Sequence, residues 1–132
     1  MAEPYKFELV SPERLLVSES VESIVIPATE GEMTVMANHS PVMTTIKPGI
    51  VTVKTVSGKE DRYVVYGGFA DILPDTCTLL AESATHIDTL DKADITARVE
   101  RARADIGSAP DDHARTRAEE FLHHLSALGD AV

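Results

Sequence analysis

The spacing of apolar and polar residues changes period once along the chain, near residue 88. Before that point short β-branched runs alternate with turns. "YKFELV" places Tyr5, Phe7 and Leu9 on one face and Lys6 and Glu8 on the other, the period-two pattern of a half-buried strand. "ERLLVSE", "VESIVIPA", "GEMTVMA", "PVMTTI", "IVTVKTV", "RYVVYGG", "FADILP" and "TCTLLAE" read as further strands, with "SGKED" (57–61) as a hairpin turn. Pro12, Pro27, Pro41, Pro48 and Pro74 fall at the ends of these runs, where a missing N–H does least harm. About eight to ten short, regularly punctuated strands indicate a sandwich or barrel rather than a parallel sheet with crossover helices.

After residue 88 the period becomes helical. Ile95, Val99, Ala102 and Ile106 form one stripe, Asp94 and Arg98 make an i,i+4 pair, and Gly107 ends the helix. "SAPD" (108–111) restarts it, with Ser108 read as the cap and Asp111 three residues later as in a capping box. Ala114, Ala118, Phe121, Leu122, Leu125 and Leu128 then form a second stripe. The predicted class is α+β, mainly β: a β-sandwich over residues 1–87, then an antiparallel two-helix hairpin over 88–132.

Composition narrows the function classes. The 132 residues are 43% apolar, enough for a core. Twelve basic against 22 acidic side chains give a formal charge of −10, which argues against nucleic-acid binding through phosphates. Cys77 is the only cysteine, so neither an intrachain disulfide nor a Cys-rich zinc site is available; in "TCTLLA" it reads as a small buried hydrophobe. No run of about 18 apolar residues exists to span a membrane, and the N-terminus lacks the form of a signal or transit peptide. The chain reads as cytoplasmic, reaching a membrane only through a partner.

No group of residues assembles a catalytic constellation, a cofactor site or a metal site. His39, in "GEMTVMANHSPVMTTIKPG", has no Cys or His at ligand spacing and no nucleophile partner, since adjacency to Ser40 is not triad geometry. It reads as a histidine hydrogen-bonded at a turn. Gly67–Gly68 lacks the third glycine and lysine of a phosphate loop and reads as a tight bend or close backbone approach. His123 and His124 are adjacent on a helix and diverge by about 100°. Met33, Met36 and Met43 read as core filler. Glu30 and Glu32 flank Gly31 in a turn that is either solvated or set against a basic partner.

The pattern "EGEMTVMANHSPVMTTIKPG", followed about seventeen residues later by "YGGFADILPDTCTLLAESA", closely resembles the epsilon-subunit family of the bacterial rotary proton-translocating ATP synthase. The delta subunit of the mitochondrial enzyme is the related alternative. The resemblance spans the whole chain, from "LVSPERLLVSESVESIVIPATEGE" to a helical tail opening at "LDKAD". It implies a ten-stranded sandwich and helical hairpin without catalytic residues or cofactor, in the central rotor at the cytoplasmic face of the inner membrane. The implied partners are the gamma subunit, the proteolipid ring and, through the tail, the alpha and beta subunits of the catalytic head. By the same resemblance, Glu30, Gly31 and Glu32 touch the ring, and His39, Ser40 and Pro41 lie at or beside the gamma-facing surface.

The tail departs from the family pattern. Inhibitory tails use basic residues against an acidic lever, whereas residues 88–132 here carry six basic and ten acidic side chains. Weak inhibition of ATP hydrolysis is the expectation. The family's ATP-binding Asp-x-x-Arg-Ala motif corresponds to the stretch from Leu90 and Asp91 to Asp94, with Asp94 in place of the arginine. Arg98, one turn on, would substitute only with the geometry shifted by a full turn, so no nucleotide site is expected. The competing reading is a free-standing nucleotide- or metal-sensing β-sandwich.

Overall fold

The computed structural model describes residues 4–38 and 40–132. The sequence-predicted alternation of "YKFELV" holds in strand β1 (Tyr5–Val10), where Tyr5, Phe7 and Leu9 are buried. Six further strands follow: β2 (Leu15–Ala28), β3 (Gly31–Met36), β4 (Val42–Thr55), β5 (Glu60–Ile72), β6 (Thr76–Ala81) and β7 (Ala84–His86).

Several runs that look separate in the sequence are continuous. β2, β4 and β5 are 13–14 residues long; β2 and β5 change partners midway, while β4 stays paired with β5 along its length and bends with it. β2 pairs with β1 up to Val21, with β4 from Val21 and with β3 from Ser23 onward. Residues 68–72 of β5 pair with β6, whereas Tyr63–Val65 pair with β7. Each of the three long strands therefore serves both layers. One layer holds β1, β6 and one part of each long strand; the other holds β3, β7 and the remaining parts.

Pro48 consequently lies inside a strand, at a bend, whereas Pro27 falls at the end of β2 as expected, one residue before Ala28. The bend in β4 needs Gly49, because a Cβ there would stand 2.6 Å from Pro27 Cβ. The bend in β5 needs Gly68, whose φ is +143° and whose added Cβ would collide with the Leu80 carbonyl oxygen. The paired glycines are thus a site of close backbone approach.

The core between the layers is built from Phe7, Leu9, Ile24, Ile26, Val51, Ile72 and Leu79, among others, all at most 1% exposed. The Tyr5 hydroxyl donates a 2.6 Å hydrogen bond to the Val35 carbonyl, tying β1 to β3. Burial, then the neighbouring Cys77, raises the Tyr5 pKa. Cys77 itself is fully buried, and desolvation followed by Asp71 pushes its thiol up to about 12. A thiol held neutral in this way is a packing group and no nucleophile.

The methionines divide. Met33 packs partly buried against the core, but Met36 and Met43 are 47% and 72% exposed. Alternation decides this: Met36 lies opposite Ser23 and Met43 opposite Asp71, on outward faces.

A unit ending at His86 and a unit from Ile87 to Val132 are each compact. In the second, a short 3-10 turn (Ile87–Thr89) leads to α1 (Lys92–Gly107) and α2 (Asp112–Ala131), which pack on each other. Ile95, Ala102, Leu125 and Leu128 are buried, as the stripes predict, but Phe121 is 40% exposed. Capping also differs from the sequence reading. Asp111 caps α2 by accepting from the Ala114 N–H at 2.7 Å, while the Ser108 hydroxyl donates back to the Ala104 carbonyl and closes α1. Pro110 explains the shift: it disfavours helical backbone at Ala109, so α2 starts only after the proline.

Candidate functional site

Two exposed features of the sandwich carry chemistry that a partner would read. The first is the turn between β2 and β3. Ala28 pairs with Gly31, leaving Thr29 and Glu30 as a two-residue loop. Gly31 has φ +134°, a conformation that side-chain-bearing residues rarely adopt. The Thr29 N–H and hydroxyl both donate to the Thr45 carbonyl, at 3.1 and 3.0 Å, which pins the loop to β4. Glu30 and Glu32 therefore project as exposed carboxylates from a fixed base.

The second feature is apolar, and the strand pattern did not single it out. Val10 pairs with Leu15 on one side and Leu80 on the other, Leu80 with Phe69, and Phe69 with Thr45. Residues directly opposite one another in a ladder share a face. Leu15, Leu80 and Phe69 are 53%, 49% and 55% exposed, so an unburied apolar band crosses adjacent strands of one layer. Met43, two residues from Thr45 on the same strand, extends it. An open groove of about 400 Å³ lies against Phe69, Leu80 and Pro12. The signal was present in "TCTLLA": with Leu79 and Leu80 adjacent, one must face outward.

The two features adjoin. Thr45 is both the ladder partner of Phe69 and the anchor of the Thr29–Glu30 loop. Ser40 and Pro41 are exposed just before β4, at the Met43 end of the band, roughly 17 Å or more of extended chain from Ile46, and are not brought to the carboxylate turn. The neighbouring Asn38 has φ +63° and donates its N–H to the Pro74 carbonyl at 2.8 Å, fixing the approach to that loop. His39 lies outside the described residues.

The tail positions compared with an ATP motif are occupied by internal contacts. Asp91 caps α1, accepting from the Ala93 N–H at 2.9 Å. The Asp94 carboxylate holds Arg98 Nε at 3.1 Å. Two carboxylates at a helix start oppose an incoming phosphate, and Arg98, the cation weighed as a stand-in for the motif arginine, is paired with Asp94. Leu90 donates its N–H to the Ile87 carbonyl at 3.4 Å, within the 3-10 turn. His123 and His124 have ring centroids 5.7 Å apart with tilted planes. Among the described residues, no group of three His, Cys, Asp or Glu side chains converges as a metal site would require.

Comparison with known proteins places this geometry in a family. The β-sandwich domain of the ATP synthase delta/epsilon chain matches residues 4–87. An ATP synthase epsilon chain of Mesorhizobium japonicum is 65% identical over 132 residues, covering all of this chain and 98% of its own. One from Rhizobium meliloti is 64% identical with the same coverage. Among solved structures, a chain in the Euglena gracilis mitochondrial ATP synthase (OSCP/F1/c-ring, rotational state 1) superimposes with a TM-score of 0.71 at 30% identity, over 94% of this chain and 80% of that one. A chain in the Tetrahymena thermophila mitochondrial ATP synthase central stalk and c-ring shares the fold, with a TM-score of 0.65 at 15% identity. A sandwich closed by bends at Pro48–Gly49 and Gly67–Gly68, matched to the family profile and to close relatives over its full length, belongs to the delta/epsilon family of ATP synthase subunits.

Proposed function

We propose that this chain is a non-catalytic rotor subunit of a proton-translocating ATP synthase, held at the cytoplasmic face of the bacterial inner membrane by its partners. The observation that carries the reading is a stiff sandwich bearing two adjoining but chemically different exposed surfaces. A coupling element must transmit torque without deforming, and a closed, densely packed core resists strain.

The apolar band through Leu15, Leu80, Phe69 and Met43 is the surface we assign to the gamma subunit, with Ser40 and Pro41 flanking it. Clustered exposed apolar residues of this kind mark interaction sites. The carboxylates of Glu30 and Glu32, on the Gly31 turn, are assigned to the proteolipid ring, where they would pair with basic loops. The Euglena relative at 30% identity comes from an assembly that includes F1 and the c-ring, which supports a place in such a complex generally. The close relatives carry epsilon-chain names and give the free-standing sensor reading no support.

The tail is assigned a minor regulatory part at most. Its net negative charge and its internally paired Arg98 leave little to engage an acidic surface on the catalytic head or to hold a nucleotide. Co-expression with gamma tests the central reading: the two chains should elute as one complex. Elution of this chain alone, at concentrations where both are folded, would overturn it.

A further inference from the structure

We infer that Asp71 and Glu82 select gamma by charge: they bracket the apolar band and admit a surface with an apolar centre and two basic flanks, which rests on the assignment of the band to gamma. The band is too small to be the whole contact. Leu15, Leu80, Phe69 and Met43, about half exposed or more, present on the order of 400 Å² of apolar surface. A stable, specific interface covers about 800 Å² on each partner. The contact therefore runs past the band, and the residues bordering the band enter it.

Strand register identifies those borders. Phe69 and Leu80 lie opposite each other on β5 and β6, which run antiparallel. Asp71 follows Phe69 by two residues, and Glu82 follows Leu80 by two. The Glu82 N–H continues the ladder past β6 by donating to the Gly67 carbonyl at 3.1 Å. Residues two apart on a strand share a face, so the carboxylates stand at opposite ends of the Phe69–Leu80 pair, about 14 Å apart along the strands. Burial agrees with that alternation: Ala70, Ile72 and Ala81 are buried, while Asp71 is partly exposed and Glu82 exposed. Glu82 also lines the apolar groove with Phe69 and Leu80.

Nearby cations do not neutralise the two carboxylates. Lys6 Nζ stands 3.7 Å from Glu8 Oε1, and Glu8 lies in the same cross-strand row as Asp71. Arg14 lines the hollow beyond Pro12 together with Glu13 and Glu82. Lys47 stands level with Gly67 on β4. Among the described residues neither Asp71 nor Glu82 has an ion pair with any of these. Covering an unpaired carboxylate with apolar or acidic surface strips its water and returns nothing. Basic side chains on gamma at that spacing recover the loss and steer the encounter. A second copy stacked with its strands aligned would set carboxylate against carboxylate, so the same two residues oppose self-association.

Association kinetics of the full-length chain with gamma, at about 50 and about 500 mM salt, test this. The wild-type on-rate should fall about tenfold between the two. Asp71→Asn combined with Glu82→Gln should lower the low-salt on-rate about tenfold and leave less than about a threefold salt dependence. Glu82→Gln alone, at an exposed position, should lower it about threefold, and so keeps the test open if the double variant folds poorly. Glu119→Gln with Glu120→Gln removes the same net charge from α2 and should stay within about twofold of wild type. An unchanged or faster on-rate in the Asp71/Glu82 variant would overturn the inference. So would an equal loss in the α2 variant, which would make the effect one of net charge. Self-association of the wild-type chain through this face, abolished by Phe69→Ser, would overturn it as well. A wild-type chain that binds no gamma at either salt removes the gamma assignment and the inference with it, whereas tight binding that ignores Asp71 and Glu82 removes the inference alone.

Discussion

Replacing Gly68 by alanine tests the account of how one strand serves two layers. Gly68 sits where β5 passes from its β7 pairing to its β6 pairing, with φ +143°. Two costs apply. Left-side backbone of this kind disfavours alanine by about 1–2 kcal/mol. The new Cβ would also meet the Leu80 carbonyl oxygen, with Ala81 Cα only 2.9 Å away, and backbone cannot rotate aside as a side chain can. Overpacking of this type adds roughly 1–3 kcal/mol. The sum, about 2–5 kcal/mol, is a large fraction of the ~5–15 kcal/mol that holds a domain folded. Gly58 supplies the control. It has φ +87° with nothing within 4 Å of an added Cβ, so Gly58→Ala isolates the backbone cost at about 1 kcal/mol. The chain has no tryptophan, so circular dichroism of the strands is the readout for urea unfolding. At an m-value of about 1.5 kcal/mol/M, Gly68→Ala should lower the midpoint by roughly 2 M and Gly58→Ala by less than 1 M. Equal midpoints for the two variants would refute the close-approach argument.

Three further outcomes follow from the structure. Cys77 keeps its proton in the folded chain up to about pH 12, whereas the unfolded chain loses it near 9. Stability from this group is therefore whole below pH 9 and declines above it, by up to ~1.4 kcal/mol per pH unit. Urea titrations at pH 8 to 11 should show a shallower alkaline decline in Cys77→Ala, and parallel declines would contradict the assignment. Reversing Glu30 and Glu32 to lysine should leave the thermal midpoint within about 2 °C, because both are exposed, while lowering ATP-driven proton pumping of the reconstituted complex several-fold; unchanged pumping would remove the carboxylates from the ring contact. Deleting residues 88–132 should change ATP hydrolysis by the assembled catalytic head less than twofold, and calorimetric titration of the chain with millimolar ATP should give no isotherm. A several-fold rise in hydrolysis, or a clear isotherm, would restore the inhibitory or nucleotide-binding tail.

Much of the fold was legible because burial imposes period two on strands and a three-to-four spacing on helices. Tyr5, Phe7 and Leu9 in β1 and Ile95, Ala102, Leu125 and Leu128 in the hairpin are buried as that rule demands. The rule is local, and its failures are where partners are chosen at long range. Pro48 interrupts a run in sequence but not in space, since β4 bends there and continues opposite Tyr66. Ser108 and Asp111 both have capping chemistry, and only the position of Pro110 separates them. Of the candidate surfaces, Glu30, Gly31 and Glu32 were readable from residue types as a turn bearing two carboxylates, and only the family resemblance pointed them at the ring. The apolar band was not, because Leu15, Phe69, Leu80 and Met43 are far apart in sequence and become one surface only through the register of adjacent strands.

The central claim is that this band is where the chain grips the rotor. Phe69→Ser with Leu80→Ser removes two exposed apolar side chains at little cost to a core they do not enter. Truncating buried interface anchors costs about 2 kcal/mol or more each. The double variant, folded by circular dichroism, should therefore bind gamma at least about 100-fold more weakly than the wild-type chain in a direct titration. Wild-type affinity for gamma in that folded variant would contradict the account.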